Sequence, residues 1–194
     1  MPMIDALIPA DSLTPAAEAQ LFRELTDILI KAEGYDPGSQ IARGVTVLNL
    51  HRPAGVFVGG EPSKLPRYRI VPTVPEGQYT DESRKALVRE ITEAFARAEN
   101  TTFEDIAPRV WVFPTEIPDG QWGSRGTIRT VPDIHAMLVN DPSKRSVGEA
   151  RLARRRREKA RSMLEATLDA VRHGTVEADR DSACMMKNTQ PEAL

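Results

Sequence analysis

Two short apolar-rich runs, MIDALIP at residues 3–9 and YRIVPTV at 68–74, predict strands, each brought to a stop by proline. A longer stretch follows each. In LTPAAEAQLFRELTDILIKAEG, Leu21, Leu25, Ile28 and Leu29 recur at helical spacing, with Thr14 placed as N-cap, Pro15 as the first helical residue and Gly34 as the stop. TDESRKALVREITEAFARAEN repeats the pattern, with Leu87, Ile91, Ala94 and Phe95 on one face. A second strand is predicted after each helix, in GVTVLNL (44–50) and RVWVFPT (109–115). Each half then closes on a glycine-rich stretch, HRPAGVFVGG or PDGQWGSRGTI, suited to a hairpin or bulge.

The two halves are copies of one another. LFRELTDIL (21–29) matches LVREITEAF (87–95) at an offset of 66 residues without a gap. The same offset pairs Ile4 with Ile70, Pro9 with Pro75, Thr14 with Thr80, Val45 with Trp111 and Gly60 with Gly126. Two β-α-β units, at 2–60 and 68–126, are therefore expected within a domain spanning residues 1–140. A crossover helix makes the two strands of each unit parallel. Side by side, the units give an α/β (α+β) fold, a four-stranded sheet with two helices on one face. The other face is bare, and oligomerisation is the economical way to cover it.

Beyond this domain, residues 141–174 are expected to form a basic helix. Ser146 and Glu149 have capping-box spacing, Gly174 supplies a stop, and Met163, Leu164, Leu168 and Val171 contribute to a modest apolar stripe. Residues 175–194 lack periodicity and are expected to be disordered. The net charge of −2 conceals nine Lys or Arg and two Glu between positions 144 and 161, a local +7 against −9 elsewhere. That asymmetry marks an appendage on an acidic body, not a chain that binds nucleic acid as a whole. The ARRRREK run itself fits a solvated face, a contact with the acidic body, or a nucleic-acid or targeting patch, the first two being commoner.

The 194 residues, 40% apolar and 28% charged, suffice for a sizeable core. No apolar run spans a bilayer and no secretory leader pattern is present, so a cytoplasmic location is expected, with no membrane partner. Cys184 is the single cysteine, and His51, His135 and His173 show no ligand spacing, so neither a disulfide nor a metal site nor any cofactor is expected. Pro2 is the notable chemical group. Removal of Met1 before a small residue would leave a secondary amine on a stiff ring, with a reference pKa of about 8, able to titrate close to neutral pH.

Taken with the doubled unit, LTPAA at Leu13, RPAGVFVGG at Arg52, VWVFPTEIP at Val110 and the glycine hairpin at Gly126 give a chain that resembles the tautomerase superfamily. Within it, the likeness is greatest to the cis-3-chloroacrylic acid dehalogenase group, and HRPAG is also similar to malonate semialdehyde decarboxylase. The resemblance implies a homotrimer and a catalytic amino-terminal proline, here Pro2. It also exposes departures. Leu29 stands in place of the dehalogenase histidine, Pro75 and a position at or beside Gln78 in place of two arginines, Phe113 in place of a tyrosine, and Ser124 in place of the glutamate that activates water. Dehalogenation is therefore not expected.

What the resemblance leaves is a cofactor-independent tautomerase in which Pro2 shuttles a proton next to the carbonyl of a 2-oxo acid or similar compound. Iminium formation by the same nitrogen is the other chemistry open to it. Arg43 or Arg125 is expected to hold the substrate carboxylate. Gln78 is expected to hydrogen-bond the ligand, and Phe113 and Trp122 to wall the pocket. Two other readings remain: a hydratase or decarboxylase of a small unsaturated or 3-oxo acid, and a catalytically silent trimeric binding or scaffold protein.

Overall fold

The computed structural model describes residues 2–187, with side chains described as far as His173. The chain forms two compact units, Met1–Leu152 and Ala153–Leu194. In the first, strand β1 (Met3–Leu7) leads to helix α1 (Pro15–Ala32), a short α2 (Gln40–Val45) and β2 (Val47–His51). The hairpin β3 (Phe57–Val58) and β4 (Glu61–Pro62) closes the first half. The second half runs β5 (Tyr68–Pro75), α3 (Asp81–Glu99), α4 (Phe103–Ile106), β6 (Val110–Val112), β7 (Thr115–Ile117) and the hairpin β8 (Trp122–Ser124) and β9 (Thr127–Arg129). Helix α5 (Val131–Leu138) comes next, and α6 (Arg145–Lys187) starts in this unit and continues into the second.

The sheet order is β2-β1-β5-β6, with β7 also on β5. Strands β6 and β7 keep one parallel register along β5, Tyr68 opposite Val110 and Thr73 opposite Thr115, and so act as a single interrupted strand. The break at Phe113 and Pro114 falls opposite Val71 and Pro72, where neither proline has an N–H to give the ladder. The expected four strand positions are thus present. At the centre β1 and β5 are antiparallel, and their pairs Met3 with Thr73 and Leu7 with Arg69 are exchanged by the 66-residue offset. The repeat is therefore a pseudo-twofold axis in space, passing through the pair of Asp5 and Val71.

One face of the sheet carries the core. Ile4, Ala6 and Ile8 alternate inward from the first strand, Tyr68, Ile70 and Val74 from β5. Leu21, Leu25 and Leu29 of α1 and Leu87, Ile91 and Phe95 of α3 lie on them. Both helices begin as their sequences dictate. The Thr14 hydroxyl accepts from Ala17 N–H with Pro15 in the first turn, and Thr80 and Ser83 form a reciprocal capping box. Both hairpins turn through two residues of positive φ, Gly59 and Gly60 at 61° and 88°, Arg125 and Gly126 at 50° and 74°. This is the backbone hand that matches strand twist.

Two features depart from the sequence expectation. Helix α6 does not stop at Gly174 but continues to Lys187, into residues expected to be disordered. One interior glycine costs a helix only about 1 kcal/mol, and Glu177, Ala178, Arg180, Ala183, Met185 and Met186 beyond it are compatible with helix. The remainder of the expected tail, 188–194, lies outside the described residues. Helix α5 was not anticipated. Asp133 Oδ2 accepts from Thr130 N–H at 3.2 Å and from its hydroxyl at 2.6 Å, Pro132 occupies the first turn, and Ile134 and Leu138 pack into a second core cluster with Ile30, Ala42 and Trp122. Among the described residues no helix is long and apolar enough to cross a membrane.

Gly148 permits α6 to lie against α5. A Cβ built there would sit 2.8 Å from Pro132 Cα and 3.0 Å from His135 Cβ. In an open helix Gly→Ala stabilises by about 1 kcal/mol. At this contact Gly148→Ala is expected instead to cost about 1–2 kcal/mol through overpacking, read as a lowered urea midpoint.

Candidate active site at the Pro2 end of the sheet

Pro2 immediately precedes β1 and is buried, and its carbonyl accepts from Val47 N–H at 3.1 Å. Its counterpart across the pseudo-twofold is Tyr68. The environment of Tyr68 therefore shows what the repeat builds at this place. Tyr68 OH donates to Glu99 Oε1, and Glu99 is held by Arg109 through Nη1 at 2.7 Å and Nη2 at 2.5 Å. Arg109 also donates to Pro66 O at 2.8 Å, so the cluster is closed. Burial acts to raise the Glu99 pKa, but hydrogen bonds from Arg109 and Tyr68 outweigh it and hold the carboxyl below its ordinary value.

The 66-residue offset carries Tyr68, Glu99 and Arg109 onto Pro2, Glu33 and Arg43, and the chemistry there is different. Glu33 caps α1 and is 1% exposed. Arg43 does not reach it. That guanidinium instead pairs with Asp27 and donates to Pro37 O at 3.1 Å. Glu33 Oε1 is left buried without a hydrogen-bond partner. Desolvation pushes the carboxyl up to about 7, against the opposing charges of the chain's amino terminus and Arg151. The terminus and Glu33 are thus electrostatic neighbours.

Gln78 and Tyr79, in the loop after β5, are 1% and 3% exposed. Neither atom of the Gln78 amide has a partner, and nor does Tyr79 OH. The pseudo-twofold image of Gln78 is Ser12, whose hydroxyl interacts with Tyr68, so the same relation brings Gln78 to the Pro2 end. Burial, then the charges of Glu33 and Glu116, raise the Tyr79 pKa and keep its phenol protonated. Of six partnerless buried side-chain polar atoms among the described residues, four belong to Glu33, Gln78 and Tyr79. Leaving one such atom unmet costs about 1–3 kcal/mol, so these are groups that an added partner would satisfy.

The other anticipated residues are dispersed. Trp122 is 7% exposed in the cluster with Ala42, Ile134 and Leu138, against which Met3 packs, and so lies at this end as a core residue. Phe113 is exposed and lies under Arg69, 5.6 Å from its guanidinium carbon, on the Tyr68 side. Arg125 is exposed in the β8–β9 turn. Behind the site, Tyr35 OH meets His135 Nδ1 at 3.0 Å, and Arg151 lies over the Tyr35 ring and donates to Glu33 O. Burial, aided by Arg151, lowers the His135 pKa and favours its neutral form. Among the described residues no group of three or more His, Cys, Asp or Glu could hold a metal ion. Glu33 was missed in the sequence. The offset that revealed the repeat also pairs Glu33 with Glu99 and Arg43 with Arg109, and following it further would have singled out the carboxylate.

The fold matches solved structures of the tautomerase superfamily. Pt0534 inactivated by 2-oxo-3-pentynoate superposes with a TM-score of 0.53 at 19% identity, over 65% of this chain and 94% of that one. A fused 4-OT wild-type symmetric trimer gives 0.53 at 19%, over 68% and 98%. Macrophage migration inhibitory factor of Toxoplasma gondii gives 0.51 at 15%, over 66% and 99%. No protein-family model and no curated protein matches the chain.

Because the folded state holds Glu33 protonated to about pH 7, it binds a proton that the unfolded chain releases near pH 4.5. The stability contributed by the neutral carboxyl is present below pH 4.5 and lost as pH rises to 7. Glu33→Gln is expected to remove this loss and to stabilise the protein at pH 8 by on the order of 3 kcal/mol, seen as a flattened pH profile of the urea midpoint.

Proposed function

We propose that this chain is a cofactor-independent tautomerase, with Pro2, freed of Met1, as the proton-transferring base for a 2-oxo acid or similar enolisable carbonyl compound. The observation carrying this reading is a buried proline at the same end of the sheet as Glu33, Gln78 and Tyr79, which carry buried side-chain polar atoms without a partner among the described residues. In the keto-to-enol direction the imino nitrogen takes a proton from the carbon beside the carbonyl, and the electron pair moves onto the carbonyl oxygen. Tyr79 OH and Gln78 Nε2 are the donors available to that developing oxyanion. Glu33, titrating near neutrality, can hold the proton while it is off carbon. Return of the proton to oxygen or to another carbon completes the isomerisation.

The reading assigns the walls to Trp122 and the apolar residues of α5. Arg43 is engaged by Asp27, which favours Arg125 as the cation for a substrate carboxylate, brought in from a neighbouring subunit. Two observations support a homotrimer. Fused 4-OT is described as a trimer, and this chain leaves Val47 and Leu50 of β2 exposed. The dehalogenase-like subgroup stays within this reading, but without its histidine, arginines and water-activating glutamate it supports tautomerisation over dehalogenation. Packing of α5 at the Pro2 end favours a second reading, a catalytically silent binding protein.

Intact mass of the purified chain is expected to show loss of Met1, and phenylenolpyruvate to be ketonised. Pro2→Ala, folded by circular dichroism, is expected to lose about 10²–10⁴ in kcat/KM. Activity that persists both in that variant and after blocking the amino terminus contradicts the mechanism.

A further inference from the structure

A large cavity lies at the opposite end of the sheet from Pro2. It measures about 500 Å³ and is lined in part by Tyr68, the residue that replaces the proline in the second half. Leu7 and Val56 line its apolar side and Phe57 and Trp111 its aromatic side, while Arg67 and Arg69 supply charge. Such a volume is ordinary for a small organic ligand. Arg109 also lines it but is committed to Glu99.

Arg67 and Arg69 are in a different state. Arg67 donates Nη1 to Pro108 O at 3.1 Å, and its Nε is buried with no partner. Arg69 is exposed and stacks on Phe113. Neither has a carboxylate partner among the described residues. Two guanidinium groups therefore border the cavity without an internal anion, in an otherwise acidic chain. A guanidinium fork matches a carboxylate in two parallel hydrogen bonds. Phe57 and Trp111, 64% and 59% exposed, offer flat apolar faces for the body of such an anion.

We infer that this cavity is a second ligand site, which holds a planar aromatic carboxylate between Arg67 and Arg69 and the faces of Phe57 and Trp111. It binds without turnover. Tyr68 lies in the middle of the chain and its phenol is tied to Glu99, so no free amine exists there to move a proton. The site does not depend on the reading given to Pro2, because no residue of that end contributes to it.

The probe is 2-naphthoate, titrated into the full chain by calorimetry and by Trp fluorescence. Wild type is expected to bind it, Arg69→Gln to weaken binding at least fivefold, and Arg67→Gln with Arg69→Gln at least twentyfold. Neutral 2-naphthalenemethanol is expected to bind at least tenfold more weakly than the carboxylate, and Pro2→Ala to bind naphthoate as wild type does. Arg69 is exposed, so its single variant tests the anion contact without endangering the fold. Undiminished binding in the folded Arg69→Gln and double variants overturns the inference, as does equal affinity for the alcohol. Loss of binding in Pro2→Ala assigns naphthoate to the other end and also overturns it. A wild type that ignores naphthoate while Trp111→Asp lowers the oligomeric state overturns it too, since a second copy of the chain then fills the cavity.

Discussion

Two glutamates at matching positions of a duplicated unit meet different fates, and the division of labour in the fold comes from that difference. Glu99 receives Arg109 and Tyr68 and becomes a satisfied structural carboxylate. Glu33 is the more deeply buried of the two, and its matching arginine turns away to Asp27 while its matching tyrosine is a proline. A buried carboxyl in that state either carries a proton or waits for a cation. The amino terminus and Arg151 supply the positive charges that oppose the rise in the Glu33 pKa.

The pseudo-twofold also explains why the ends of the sheet look unlike each other. Each half closes on a hairpin that overhangs one end, with Val56 over the Tyr68 end and Trp122 over the Pro2 end. After the first hairpin the chain enters β5 and leaves a cavity behind it. After the second comes α5, whose Ile134 and Leu138 pack with Trp122 and Ile30. One end is thus backed by this second apolar cluster, while the other opens into a cavity bordered by guanidinium groups. A symmetric scaffold has become two distinct environments because β5 leaves the first copy and α5 leaves the second.

Much of the architecture was legible because it rests on local rules written twice. Helix starts at Thr14 and Thr80, apolar stripes on α1 and α3, and glycine turns at Gly60 and Gly126 each announce themselves, and the repeat fixes how they assemble. Helix α5 was illegible because eight residues carry too little periodicity to stand out, although the Thr130 and Asp133 cap was present to be read. Extension of α6 past Gly174 shows a weak local breaker overridden by its neighbours. Among the candidate site residues, the burial of Pro2, Gln78 and Trp122 fits their type and position in the sequence. The engagement of Arg43 by Asp27 could not be read there, since it depends on a helix–helix contact that no spacing encodes. Glu33 looks in sequence like any polar helix end, and only its burial makes it chemically unusual.

The link between the amino terminus and Glu33 is open to direct observation by carbon-detected NMR titration of the Glu33 side-chain carboxyl, in the native chain and after acetylation of its terminus. The account requires a midpoint near 7 that moves upward when the terminal charge is removed. A midpoint near 4.5 that ignores acetylation would mean that Glu33 is solvated or otherwise partnered, and that the proline end of the sheet is not the reactive environment described.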